Sequence, residues 1–143
     1  MTQTTHKMTM QEAFDKAAEG VVKQGTPSVS DGACAYVSEG PDGSERHCGV
    51  GHILPSNSIC EQLDMLRSSI EDLNDRTYKT AFRGTGIEHL PREFLEALQG
   101  CHDNAYSERK SQKGDFIELF KVKMISMAEA WDLVPTPCIL NEA

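Results

Sequence analysis

Long apolar runs are missing from this sequence. None of its 143 residues belongs to an unbroken apolar stretch near 18 residues, about the length that crosses a membrane. The opening residues, MTQTTHKMTM, contain no apolar run of the kind found in a secretion signal. We therefore expect a soluble, unexported protein that works in the cytoplasm.

Basic residues are scarce as well. The chain has 14 of them against 22 acidic residues, which gives a formal net charge of -8, and the acidic excess is spread evenly along the chain. Nonspecific nucleic-acid binding depends on clustered lysine and arginine side chains that neutralise phosphates. Direct binding to nucleic acid is therefore not expected, and no feature indicates binding to a membrane.

Motifs that mark common catalytic sites are also absent. The sequence contains no GxxxxGK[ST] loop, no GxGxxG after a strand, no GxSxG elbow and no HExxH helix. Its five cysteines are an odd number for a disulfide framework, so reduced thiols are expected. The prediction is a protein that is not an enzyme and has no cofactor.

Length and hydrophobic periodicity predict one helix-rich domain. The size of 143 residues is typical of a single domain, here 1–143 with a flexible N-terminus at 1–8 and a C-terminal tail at 135–143. Capping boxes at Thr9, Ser58 and Asp115, and Pro91 at a helix start, indicate four helices. Their predicted ranges are 10–24, 59–74, 91–105 and 116–134. Residues 75–89 lack a clear period and are expected to form a loop with room for one short strand.

The stretch CAYVSEGPDGSERHCGVGHILP, residues 34–55, predicts a β-hairpin, and SVSDGA before it is expected to be a loop. GPDGS is a strong turn signal between two β-prone runs. A turn centred on Pro41 would place Cys34 opposite Cys48 and Tyr36 opposite Arg46. The predicted fold is therefore α+β, with about four helices and one β-hairpin packed against them.

The hairpin region also contains potential metal ligands. Cys34, Cys48, His52 and Cys60 could together bind zinc, although they lack the close C-x2-C pair typical of structural zinc sites. The alternative is that Cys34 and Cys48 are small buried side chains facing each other. A disulfide between them is disfavoured in a reducing compartment. A catalytic thiol at Cys48 would have His52 as its local base, since His47 should point to the opposite face.

A second group, Cys101, His102 and Asp103, lies on the third predicted helix. Adjacent helical residues diverge by about 100 degrees, so these three side chains cannot converge on one atom unaided. His102 shares the apolar face with Leu95, which favours a histidine at the edge of the core, hydrogen-bonded to a backbone carbonyl, over a catalytic role. A small enzyme that uses Cys48, or His102 with Asp103, remains an alternative hypothesis.

An acidic cluster lies at the end of the second predicted helix. Glu71, Asp72 and Asp75 are expected to be either a solvated helix end or part of a partner-binding surface.

Four stretches of the chain resemble a family of small tailed-phage and prophage proteins: MQEAFDKAAEGVVKQGTPSV, CAYVSEGPDGSERHCGVGHILP, LPREFLEALQGCHDNA and DFIELFKVKMISMAEAWDL. That family shares a CxYxGxxGxxCxxGxLIP hairpin and an LQxxHD helix. Residues 63–86 depart most from it, and the position of His52 often differs. The resemblance implies an origin in a mobile element and carries over no activity. The matching positions are Cys34, Gly43, Cys48, Gly51, Pro55, Gln99, His102 and Asp103.

Size, acidity and this resemblance together favour a phage accessory protein in the host cell cytoplasm. The leading hypothesis is that it binds a host or phage protein and inhibits a host defence system, in the manner of an anti-CRISPR or another counter-defence protein. The alternatives are a zinc-organised binding module that uses Cys34 and Cys48, and the small enzyme described above.

Overall fold

The computed structural model describes residues 7–109 and 115–140. This part of the chain confirms the helix-rich α+β class, with six helices where four were predicted and two antiparallel strand pairs where one was predicted. None of the described helices is long and apolar enough to cross a bilayer. The helices are α1 (Met10–Gln24), α2 (Asn57–Met65), α3 (Asp75–Phe82), α4 (Arg92–Glu108), α5 (Phe116–Ala130) and α6 (Pro137–Leu140). The strands are β1 (Val29–Ser30), β2 (Ala33–Cys34), β3 (Val37–Glu39) and β4 (Glu45–His47).

Helix α1 has the bounds that the sequence predicts. The Thr9 hydroxyl accepts a hydrogen bond from the Glu12 amide at 3.0 Å, and the Glu12 carboxylate accepts one from the Thr9 amide at 2.9 Å. At the other end Gly25 adopts φ +78°, the left-handed conformation that stops a helix. The buried face of α1, which includes Phe14, packs against α4 and α5.

Helices α4 and α5 pack side by side, and both contribute large side chains to the core. As predicted, Asp115 caps α5 by accepting from the Glu118 amide at 2.8 Å. Helix α4 continues three residues beyond the predicted end, and α5 stops at Ala130 rather than Val134. The chain turns after α5 because Asp132 adopts φ +56°. Core side chains from the two helices are Phe94, Leu95, Leu98, Ala105, Phe116, Phe120, Met124 and Met127.

The predicted helix over 59–74 is wrong at both ends. Helix α2 starts two residues earlier, because Ser56 rather than Ser58 caps it by accepting from the Ile59 amide at 3.3 Å. It stops at Met65, after which Arg67 adopts φ +52° and reverses the chain. A 3-10 turn, Ile70–Asp72, follows, and its buried Ile70 amide donates to Gln99 Oε1 on α4 at 2.9 Å. No local sequence pattern predicts this contact with a distant helix.

Helix α3 lies where a loop was expected. Asn74 caps it by accepting from the Thr77 amide at 2.9 Å, and Tyr78 and Phe82 are buried. The Arg92 guanidinium of α4 lies 4.5 Å from the centre of the Tyr78 ring and donates to Asp75 at 3.0 Å. The helix is thus held to α4 by a cation–π contact and an ion pair.

The predicted hairpin exists, but its register is wrong. Strands β3 and β4 pair Val37 with His47 and Ser38 with Arg46, so Cys34 does not face Cys48. The loop comprises residues 41–43, with Gly43 at φ +82°, and is closed by a bond from the Gly40 amide to the Ser44 carbonyl at 2.8 Å. The turn therefore centres on position 42 rather than 41, and every strand residue has a different partner.

Cys34 belongs to a second, unpredicted hairpin, where it pairs with Val29. Strands β1 and β2 are joined by Asp31 and Gly32, both with positive φ, as a two-residue hairpin turn requires. The dipeptide Asp-Gly inside SVSDGA was the available sequence signal.

The predicted terminal segments are partly ordered. Residues 1–6 and 141–143 lie outside the described residues. The Met8 amide donates to the Gly86 carbonyl at 3.2 Å, and Ile139 of α6 is buried against the core.

Candidate functional site

A cleft of about 550 Å³ opens beside α2, where three distant parts of the chain meet. The β2–β3 region supplies Cys34 and Tyr36, the end of α2 supplies Asp64, and α4 supplies Gln99 and Asp103. Volumes of this order are typical of binding pockets. Four residues that the sequence analysis named, Cys34, Cys48, Gln99 and Asp103, therefore meet at one place. The full lining is Ser30, Asp31, Ala33, Cys34, Ala35, Tyr36, Val37, Cys48, Leu63, Asp64, Arg67, Ser68, Ser69, Gln99 and Asp103.

His102 connects the cleft to the core through two hydrogen bonds. Its Nε2 accepts from the Ser28 amide at 2.9 Å. Because a backbone N–H can only donate, Nε2 must carry a lone pair and the ring proton must sit on Nδ1. Nδ1 then donates to Asp103 Oδ1 at 2.8 Å. The histidine predicted at the edge of the core is instead fully buried, and its backbone partner is an amide rather than a carbonyl.

Cys34 lies beside the same two residues, with its sulfur within 4.8 Å of ligand atoms of His102 and Asp103. Burial, together with the charge of Asp103 and a hydrogen bond to it, raises the pKa of the Cys34 thiol. A thiol nucleophile needs a base that removes its proton, and the imidazole normally does this directly. Here the Asp103 carboxylate also lies near the sulfur and favours the protonated thiol, which is the weakly nucleophilic form.

A metal at this group would disrupt the same hydrogen bonds. Within the ranges that the structure describes, one group of three potential ligands lies together, with ligand atoms of Cys34, His102 and Asp103 within 4.8 Å of one another. Coordination through Nε2 of His102 would displace the Ser28 amide. Coordination through Nδ1 would put a proton on Nε2, facing that amide donor with another donor. The geometry at His102 therefore disfavours zinc.

The other zinc candidates do not join this group. His52 packs against Gly20 and bonds through Nε2 to Gln24 at 3.1 Å, and burial lowers its pKa to about 4. Cys60 donates its S–H to the Gly51 carbonyl at 3.8 Å, and burial raises its pKa to about 11. Cys48 accepts from the Gly51 amide at 3.3 Å, and burial raises its pKa well above the usual value.

Asp64, which the sequence pattern did not single out, ties α2 to the cleft wall. Its two carboxylate oxygens accept from the backbone amides of Tyr36 at 2.7 Å and Val37 at 3.3 Å. Burial raises the pKa of Asp64, while these two hydrogen bonds act in the opposite direction. No local sequence signal marks such a contact, since the partners are 27 and 28 residues away.

A second concavity, a groove of about 350 Å³, lies between α2 and α3. Successive residues on a helix are about 100 degrees apart. Asp64 therefore faces the cleft, Met65 faces solvent with 80% of its surface exposed, and Leu66, 40% exposed, borders the groove. We call this exposed side of α2, with the cleft and the groove that flank it, the α2 face. The groove is lined by Ile59, Gln62, Leu63, Leu66, Arg76, Thr77, Thr80 and Ala81.

No protein-family model, curated protein or solved structure matches this chain. The chemistry of the cleft and of the α2 face is therefore the basis for a functional proposal.

The acidic residues proposed for partner binding lie next to the cleft but do not line it. Asp72 accepts from the Ser69 hydroxyl at 3.1 Å, and Asp75 forms an ion pair with Arg92 at 3.0 Å. Glu71 is exposed on the 3-10 turn that precedes α3. Their role in binding stays a prediction.

The protonated thiols allow a test of the enzyme alternative. Burial raises the pKa of Cys34, Cys48 and Cys101, the last to about 12. At pH 8 we expect iodoacetamide to modify each of them in the native protein at least about tenfold more slowly than in the urea-unfolded chain, since the thiolate is the reactive form. Time-resolved mass spectrometry would measure this. If iodoacetamide modified Cys34 or Cys48 faster in the native protein than in the unfolded chain, the result would support a catalytic thiol.

Proposed function

We propose that the protein acts by binding another protein through the α2 face. The observation that carries this proposal is the exposure of two consecutive large apolar side chains, Met65 and Leu66, between two concavities. The other exposed large apolar residues in the described ranges, Val122, Val134 and Leu140, are not adjacent in sequence to one another. Exposed apolar side chains beside a groove are typical of protein-binding surfaces.

The chemistry of the cleft supports binding rather than catalysis. The Nε2 lone pair of His102 is occupied by the Ser28 backbone amide, and burial with the Asp103 charge favours the protonated Cys34 thiol, so neither group is placed to act as a base or a nucleophile. The net charge of -8 also favours a protein partner over a nucleic acid.

The resemblance to tailed-phage proteins supports a role during infection, in the cytoplasm of the host. We propose that the partner is a host protein and that binding inhibits a host defence system. A bound α2 face would act by covering a surface that the target needs for its own assembly or activity.

Replacing Met65 with aspartate should abolish recovery of this partner. Truncation or charging of a central interface residue typically costs about 2 kcal/mol or more, which corresponds to about a 30-fold weaker complex. The measurement is affinity purification of the tagged protein from phage-infected or expressing host cells, with quantitative mass spectrometry. The folded state should be unaffected, since Met65 is 80% exposed.

The matched control is Val122→Asp, which places the same charge on another exposed apolar residue, 64% exposed on α5. This variant should recover the partner at the wild-type level. A partner retained by M65D, or lost equally from M65D and V122D, would place the binding surface elsewhere. Absence of any stoichiometric partner would contradict protein binding itself.

A further inference from the structure

The charges that line the cleft indicate what the partner presents to it. Three aspartates, Asp31, Asp64 and Asp103, face one arginine, Arg67, so the lining carries a formal charge of -2. Arg67 lies at the exposed rim and forms no ion pair within residues 7–109 and 115–140. An acidic concavity with low-dielectric walls concentrates cations. Charge alone, however, does not distinguish a binding site from a solvated surface.

Tyr36 supplies an independent observation. Its side chain lines the cleft and is only 5% exposed, yet its hydroxyl has no hydrogen-bond partner of good geometry among the described residues. Burial raises the pKa of Tyr36, and the neighbouring groups that also act on it, Cys48, Gln99, Asp103 and Asp64, all line the cleft. The Gln99 amide is near enough to lower this pKa but makes no hydrogen bond of good geometry with the hydroxyl. Leaving a buried hydroxyl unpaired costs free energy. A ligand that donates a hydrogen bond to the Tyr36 oxygen would remove this cost.

From these observations we propose that the cleft binds the guanidinium group of an arginine side chain presented by the partner protein. This inference rests on the proposed function, because it names the chemistry of the partner at the α2 face. Each oxygen of Asp64 already accepts one backbone hydrogen bond and has a second lone pair available. Asp103 is 31% exposed at its side chain, so its carboxylate also reaches the cleft.

A guanidinium fits this set better than an ammonium or an apolar group. Its five N–H donors lie in one plane, which allows it to bond two carboxylates and a hydroxyl at once. It is also more weakly hydrated than an ammonium, so its transfer into a half-enclosed site costs less. The adjacent Met65 and Leu66 would contact apolar residues that flank the arginine in the partner. Arginine beside an apolar anchor is a common composition of interface hot spots.

Argininamide tests the chemistry of the cleft without the partner. In a titration of the full-length 15N-labelled protein followed by NMR, we expect millimolar binding with amide shifts confined to residues 31–37, 64–69 and 99–103. Citrullinamide has the same shape without the charge and should bind at least about tenfold more weakly. Equal shifts from the two probes would overturn the proposal. So would the absence of any shift from argininamide after the ionic strength of the titration is lowered 50-fold, since salt then screens the charges less.

Two variants separate the proposed contacts from a general effect of folding. Tyr36→Phe removes only the unpaired hydroxyl and should weaken argininamide binding about tenfold while leaving the protein folded. The matched control is Tyr78→Phe, since the Tyr78 hydroxyl is also buried without a partner in the described ranges but lies outside the cleft lining. It should bind argininamide as the wild type does. Asp31→Asn removes one negative charge from the cleft, and asparagine tolerates the left-handed conformation of this turn position. This variant should weaken argininamide binding about threefold.

The outcomes distinguish this inference from the proposed function. If M65D loses the partner while argininamide does not bind, the α2 face is the interface and the arginine proposal is wrong. If argininamide binds in the cleft and Y36F weakens it, but M65D keeps the partner, the cleft chemistry is right and the apolar part of the interface is wrong. Y36F and Y78F weakening argininamide equally would also reject the cleft as the site.

Discussion

Replacement of Gly51 with alanine is expected to destabilise the protein by about 3 kcal/mol or more. A Cβ atom at this position would overlap the carbonyl oxygen of Tyr36 and lie 3.1 Å from its carbonyl carbon and 3.2 Å from Cβ of His47. These neighbours cannot move freely, because the Tyr36 carbonyl accepts from the Cys48 amide at 3.3 Å and His47 is paired in β4. The substitution would therefore push the 3-10 turn Gly51–Ile53 away from Tyr36, whose segment lines the cleft.

Urea unfolding followed by circular dichroism would measure this loss, with Gly100→Ala as the matched control. Gly100 lies inside α4, and a Cβ there would meet only the Asn104 side chain, at 3.4 Å. Alanine has a higher helix propensity than glycine, so G100A should stabilise the protein by about 0.5–1 kcal/mol. An unfolding midpoint for G51A close to that of the wild type would mean that Gly51 does not make this close contact.

Replacement of His102 with alanine should have the next largest effect, a loss of about 3–5 kcal/mol. The side chain is fully buried, so its removal leaves a cavity between α4 and its neighbours. The Ser28 amide would also lose its acceptor, and Asp103 would lose the Nδ1 donor. A buried donor without a partner costs about 1–3 kcal/mol in addition to the cavity. The same unfolding experiment measures the sum.

Glutamine at position 102 separates these two contributions. Its side-chain oxygen can replace Nε2 as the acceptor for Ser28, so H102Q should recover about 1–2 kcal/mol relative to H102A. The control is His89→Ala, because His89 is exposed and its ring makes a hydrogen bond to the Met8 carbonyl at the surface. We expect little change from it. A stability of H102Q equal to that of H102A would show that the hydrogen bond to Ser28 contributes nothing.

Local signals in the sequence predicted the elements whose stability is local. Helix α1 has its own capping box and apolar face, and α5 has the Asp115 cap and its stripe of Phe and Met residues. Both could be placed from residues a few positions apart. The hairpin was found for the same reason, although Gly43 in the left-handed conformation moved its centre by one position.

The parts that the sequence did not predict depend on distant partners. Helix α2 ends early because the chain must return Ile70 to Gln99, and α3 is held by Arg92. The cleft joins residues from three segments, so the polar contact between Asp64 and the Tyr36 amide has no sequence signature. His102 and Asp103 stood out in the sequence, but the hydrogen bond from the Ser28 amide to His102 and the closeness of Cys34 to both residues required the fold.

The contacts that hold the segment from α2 to α3 have a consequence for how its surface can vary. Asp64 bonds to the amides of Tyr36 and Val37, Gln99 bonds to the Ile70 amide, and Arg92 bonds to the carbonyls of Ile70 and Leu73. All of these partners are backbone atoms, which every residue type except proline offers. Exposed side chains on this segment other than Asp75, which pairs with Arg92, can therefore be exchanged without loosening its attachment. Such an arrangement would allow substitutions on a binding surface as the sequence of its target changes, while the core residues stay the same.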